Sequence, residues 1–92
     1  MEITIDELLK INNPNIIDIR SYEKYNDRHI PGAVNINYIE LVNNTSKYLN
    51  KINKYFIYCQ RGITSRKVVS ILRNYGYNVI NIIGGYEAYI LK

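Results

Sequence analysis

Tyr55-Phe56-Ile57-Tyr58-Cys59-Gln60-Arg61-Gly62-Ile63-Thr64-Ser65-Arg66-Lys67-Val68-Val69 passes from an uncharged apolar run, through a short loop with one glycine, into an amphipathic segment. Aromatic and β-branched residues from Tyr55 to Tyr58 describe a strand covered on both faces. From Thr64 to Tyr75 the spacing predicts a helix, with Val68, Val69, Ile71 and Leu72 on one face and Arg66, Lys67, Arg73 and Asn74 mostly elsewhere. Gly76 fits the position after the last turn. Cys59, the only cysteine, therefore stands at the carboxyl end of a strand and faces a helix amino terminus. Free N–H groups and the positive end of the helix dipole favour a thiolate there.

The same alternation extends in both directions. Ile3-Thr4-Ile5 reads as a strand, and Asp6 as the cap of a short helix through Ile11 that Asn12-Asn13-Pro14 stops. Asn15 to Ile19 is a strand, Ser21 caps a helical turn through Tyr25, and Ala33 to Ile36 follows the Pro31-Gly32 turn as another strand. Short helices are expected near Tyr38–Asn43 and Ser46–Leu49, a strand at Asn78–Ile83, and a terminal helix from Tyr86 to Leu91 after Gly84-Gly85. Strand and helix in turn argue for a single α/β domain over residues 1–92, with a mostly parallel central sheet and helices on both faces. Reactive loops in such sheets lie beyond the carboxyl ends of the strands.

Composition narrows the chemistry. The 92 residues are 47% hydrophobic and 22% charged, with a formal net charge of +4. Basic residues are scattered among acidic ones, which argues against nucleic acid as a partner. No apolar run approaches the roughly 20 residues of a membrane span, and the acidic start is not a secretory signal. One cysteine leaves no internal disulfide, no cysteine-rich metal site and no resolving thiol, and it suits a reducing compartment such as the cytoplasm. Around Cys59, the N–H groups of Gln60 to Ser65 can converge as an anion-binding nest, and Gly62 lets the backbone curl. Arg61, Arg66 and Lys67 are expected to add positive charge and to lower the thiol pKa below about 8.5.

Four segments give a more specific reading. Tyr25-Asn26-Asp27-Arg28-His29-Ile30-Pro31-Gly32-Ala33 resembles the amino-terminal signature of the rhodanese family, an aromatic, three residues, then His-Ile-Pro-Gly-Ala. Asp18-Ile19-Arg20 resembles its Asp-x-Arg element, Cys59 to Ser65 its Cys-x-x-Gly-x-x-Ser loop, and Gly84 to Tyr89 its Gly-Gly-aromatic-x-x-aromatic tail. The four occur in the family's order across nearly the whole chain, which is similar to the short single-domain members.

This resemblance implies a rhodanese-like domain and sulfur transfer. Cys59 would take the outer sulfur of a donor such as thiosulfate as a persulfide and pass it to cyanide or a thiol, with no metal or organic cofactor. A protein donor or acceptor is also compatible. Gln60, Arg61, Gly62, Ile63, Thr64 and Ser65 would supply the cradle, with Arg61 the first candidate to recruit an anionic donor and Arg66 the second. Thr64 stands where many members carry a basic residue, and Tyr86 and Tyr89 serve where the tail lacks tryptophan. His29 and the Asp18/Arg20 pair are expected to brace structure rather than to react. The alternatives are a relay or regulatory module without turnover, and a phosphatase or arsenate reductase. The last resembles Cys-x-x-x-x-x-Arg, whereas Ser65 occupies that arginine position here and Arg66 comes one residue late.

Overall fold

Thr4-Ile5-Asp6-Glu7 sets the first boundary. In the computed structural model, which describes residues 1–92, the Thr4 hydroxyl accepts the Glu7 N–H at 3.1 Å and the Glu7 carboxylate accepts the Thr4 N–H at 3.0 Å. This capping box starts the helix two residues earlier than a cap at Asp6 would, so Asp6 lies in the first turn and Ile5 is buried helix rather than strand. The elements are β1 (Glu2–Ile3), α1 (Ile5–Leu8), β2 (Asn15–Asp18), α2 (Tyr22–Asp27), β3 (Val34–Asn35), α3 (Tyr38–Asn43), α4 (Thr45–Tyr48), β4 (Lys54–Tyr58), α5 (Ile63–Asn74), β5 (Asn78–Ile82) and α6 (Gly85–Ile90). None of the helices is long and apolar enough to cross a membrane.

The strands form one five-stranded sheet in the order β1-β5-β4-β2-β3, and every pairing is parallel. Period-two alternation along the central strand splits the core. Tyr55 and Ile57 face Leu41, Leu49, Val68 and Leu72, while Phe56 and Tyr58 face Ile5, Leu8, Ile30 and Tyr86. Helices thus cover both faces, as expected from the sequence. In α5 the buried stripe is Ser65, Val68, Val69 and Leu72, at helical spacings of three, one and three. Each fully buried aliphatic there contributes about 1.5–3 kcal/mol. Ile71 sits roughly 100° around the helix from Leu72 and is partly exposed at 38%, contrary to the expectation that it shares the core face.

From β2 the chain continues outward to β3, and from β4 it continues the other way to β5. Adjacent strands whose connections diverge leave a crevice at their carboxyl ends. Arg20 and Cys59 stand at the two sides of that crevice.

Candidate active site

The loop after β4 is shaped from behind by α6. The Tyr86 N–H donates to the Cys59 carbonyl at 2.9 Å and the Glu87 N–H to the Gln60 carbonyl at 3.0 Å. With those carbonyls engaged on the α6 side, the next N–H groups turn inward. Gly85 makes this close approach possible: it has φ +60°, and a Cβ there would overlap the Cys59 carbonyl oxygen. Gly85→Ala is expected to destabilise the fold by about 1–3 kcal/mol and to reduce activity more than tenfold, read by urea melting and by turnover. A variant with unchanged melting would reject this account.

The sulfur lies at the amino end of the long helix α5. Cys59 Sγ accepts the N–H of Gly62 at 3.1 Å and of Ser65 at 3.3 Å. As a thiol it donates to Ser65 Oγ at 3.3 Å. Burial pushes the Cys59 thiol up, but the Ser65 hydroxyl and the backbone N–H groups of Ser65, Gly62 and Arg61 outweigh burial and hold it below the ordinary thiol value. Hydrogen-bond donors therefore lead this effect, in keeping with the expected nest of loop N–H groups, and the side-chain charges of Arg61, Arg66 and Lys67 are not among its leading causes. Gly62, at φ +86°, supplies the left-handed turn that aims its own N–H at the sulfur.

Cys59 opens into a cleft of about 480 Å³ between the loop and the segment after β2. Arg61, Ile63 and Thr64 line it from the loop, and Arg20 and Lys24 from the opposite side. Gln60 also borders it, with its side-chain oxygen accepting Arg20 Nη1 at 3.1 Å. Ser65 is fully buried behind the sulfur. Arg66 is not part of this cleft: its Nε donates to Glu2 at 3.0 Å, which carries the guanidinium toward β1.

Arg20 and Asp18 form the brace expected of them. Asp18 is buried and accepts from the Arg20 backbone N–H at 2.9 Å, from Arg20 Nη2 at 2.8 Å and from the Tyr58 hydroxyl at 2.6 Å. Burial opposes the Arg20 charge, but Asp18 outweighs it and holds the guanidinium above its ordinary value. Burial first, then the bond to Asp18, push Tyr58 well above the phenol range, so its hydroxyl keeps its proton. Arg20 also lies 4.2 Å from the Tyr86 ring centroid and donates to the Arg28 carbonyl at 2.6 Å. One side chain thereby ties β2, α2, the reactive loop and α6 together. His29 stacks on Tyr25 with centroids 3.9 Å apart, and its Nδ1 donates to the Tyr25 carbonyl at 2.8 Å, so it is structural.

Two residues here carry no motif. Lys24 reaches the cleft because it follows the Ser21 cap by one helical turn. Asn81 is buried behind Ser65, and the signal for it was an amide interrupting the apolar run Val79-Ile80-Asn81-Ile82.

Known proteins resemble this chain in sequence and fold. The rhodanese-like domain family model matches residues 4–92. The thiosulfate sulfurtransferase GlpE of Coxiella burnetii is 31% identical over 84 residues, which is 90% of this chain and 78% of that protein. A rhodanese-like domain protein from Staphylococcus aureus superposes with a TM-score of 0.85 at 33% identity, covering 97% of this chain and 91% of that one. A rhodanese-related protein from Thermoplasma volcanium gives a TM-score of 0.89 at 26% identity, covering 98% and 90%.

Proposed function

The chain belongs to the rhodanese-like domain family, and on that premise we propose that it transfers sulfane sulfur through a persulfide on Cys59. The Cys59 thiolate attacks the outer sulfur of a donor such as thiosulfate. The new S–S bond forms as the old one breaks, and sulfite leaves with the bonding electron pair. Cyanide or a thiolate then attacks the outer sulfur of the persulfide, and Cys59 is released as a thiolate. Electrons balance between donor and acceptor, so the scheme includes no metal or organic cofactor. With no second cysteine in the chain, the sulfur must leave to an external acceptor, small molecule or protein. A lone thiol of this kind suits a reducing compartment such as the cytoplasm.

The observation that carries this reading is the convergence of the Gly62 and Ser65 N–H groups on Sγ. Such a cradle stabilises one anionic sulfur without a dedicated side-chain cation. The same geometry disfavours the phosphatase reading. Six positions after Cys59 stands the buried Ser65, and Arg66 is engaged by Glu2. Incubation with thiosulfate, polysulfide or a persulfide-bearing protein, followed by intact mass measurement, is expected to add one sulfur atom. Absence of any gain from all three would sink the proposal.

Arg61 and Lys24 face each other across the cleft as the cations available to a dianionic donor. Arg61→Ala is expected to raise KM for thiosulfate about tenfold while leaving the lifetime of the preformed persulfide within about twofold, as steering and binding charges act on the donor. Equal losses in both would remove Arg61 from donor recruitment.

A further inference from the structure

Behind the sulfur runs a chain of hydrogen bonds that the sulfur-transfer scheme does not use. Ser65 Oγ donates to Asn81 Oδ1 at 2.5 Å, and Asn81 Nδ2 donates to Glu2 Oε2 at 2.9 Å. Glu2 Oε2 also accepts Arg66 Nε at 3.0 Å. Ser65 and Asn81 are 0% and 1% exposed, so water does not complete their bonding.

The direction of this chain is fixed by chemistry. The Asn81 nitrogen faces a carboxylate and, at 3.5 Å, the Gly62 carbonyl, and both groups only accept. A flipped amide would set Oδ1 against the Glu2 carboxylate. Asn81 therefore presents oxygen to Ser65, and the single hydroxyl proton of Ser65 answers it. Ser65 Oγ is then left to accept, which matches a Cys59 thiol donating to it at 3.3 Å. Every group is satisfied while the sulfur is protonated. Once the sulfur ionises, the Ser65 proton is wanted at two places. Turning it to the thiolate strands the Asn81 oxygen in a buried site, where an unpaired acceptor is costly.

We propose that Asn81 is a positioning residue for the Cys59 thiol: its amide oxygen competes with the sulfur for the single Ser65 proton and so weakens that donor, with Glu2 fixing the amide's orientation. The effect runs opposite to that of the loop N–H groups. Asn81 restrains ionisation that the cradle promotes, and a thiolate of less depressed basicity is the stronger nucleophile. Other charges facing these groups are Arg20 with Asp18, Lys24 across the cleft, Arg61 on the loop itself, Glu87 beyond Gln60, and Arg66 with the Met1 amino group beside Glu2. None of them contacts the Ser65 hydroxyl.

The test is the pH dependence of Cys59 alkylation by iodoacetamide in wild type, Asn81→Leu, Ser65→Ala and the double variant. It requires no sulfur donor, so it succeeds or fails independently of the proposed activity. Asn81→Leu is expected to move the midpoint down by about half a pH unit, roughly a threefold gain in thiolate below the midpoint. In the Ser65→Ala background the same substitution is expected to move it by less than about 0.2 units, because the competition is gone. Equal shifts in both backgrounds, no shift in either, or an upward shift would overturn the proposal. Should Asn81→Leu not fold, Glu2→Ala at the partly exposed sheet edge takes its place, since it frees the amide to turn. A downward shift abolished by Ser65→Ala supports the proposal. A shift that persists there reports only the lost carboxylate charge and overturns it.

Discussion

Cys59→Ser is expected to abolish sulfur transfer, by at least about 10³-fold, and to remove the mass gain completely. A serine hydroxyl ionises far above the range that two backbone N–H groups and the Ser65 hydroxyl can correct. Its oxygen is also a poor partner for a sulfane sulfur. The fold should survive, because the bonds that shape the loop run from the Cys59 and Gln60 carbonyls to Tyr86 and Glu87 and do not involve the side chain. Stability is expected to change by about 1 kcal/mol or less, as for substitutions outside the main destabilising mechanisms. Intact mass and thermal melting on one sample separate loss of chemistry from loss of structure. A serine variant that still gains sulfur would place the carrier elsewhere.

Asp18→Ala should have the largest effect on stability. It removes a buried carboxylate that takes bonds from Arg20 and Tyr58, and it leaves the 7%-exposed Arg20 without its counter-ion. Breaking one side of such a pair costs about 3–5 kcal/mol, against a total of roughly 5–15 kcal/mol for a domain. The urea midpoint should fall accordingly, and Gln60, held by Arg20, should lose its restraint, lowering activity in whatever protein remains folded. Asp18→Asn, which keeps acceptor capacity on one oxygen, should fall between. If the alanine variant melts within about 1 kcal/mol of wild type, the pair is not the brace described here.

Much of this arrangement was legible in the residues. The uncharged run from Tyr55 to Tyr58 in β4, the amphipathic period of α5 and the β-branched residues of β2 each had one reading. The parallel sheet and the position of Cys59 followed from their alternation. Boundaries were harder where two residues compete for one role. Thr4 won the cap over Asp6 because Glu7 completes the box with Thr4 alone. Side-chain direction was hardest. Nothing local to Arg66 says that it turns to Glu2, a residue 64 positions away and on the edge strand. Lys24 gave no sign of membership in the site, and the amide of Asn81 within an apolar run marked a buried polar group without saying what it meets, since each is brought there by an element that carries no part of the loop. The Asp18–Arg20 brace was foreseen as a pair, but its reach to Gln60 and Arg28 depends on how two strands and a helix meet.

The dependence of the cradle on Gly85 and Tyr86 also has a meaning in time. Cys59 is made 26 residues before Gly85, the residue whose close approach gives its loop its shape. At about 5–20 residues per second, roughly one to five seconds of translation separate the two. Through that interval the Cys59 and Gln60 carbonyls lack the Tyr86 and Glu87 N–H groups that shape the loop. Reactivity is conferred on the cysteine by residues synthesised after it, so the nucleophile's sequence exists before its chemistry does.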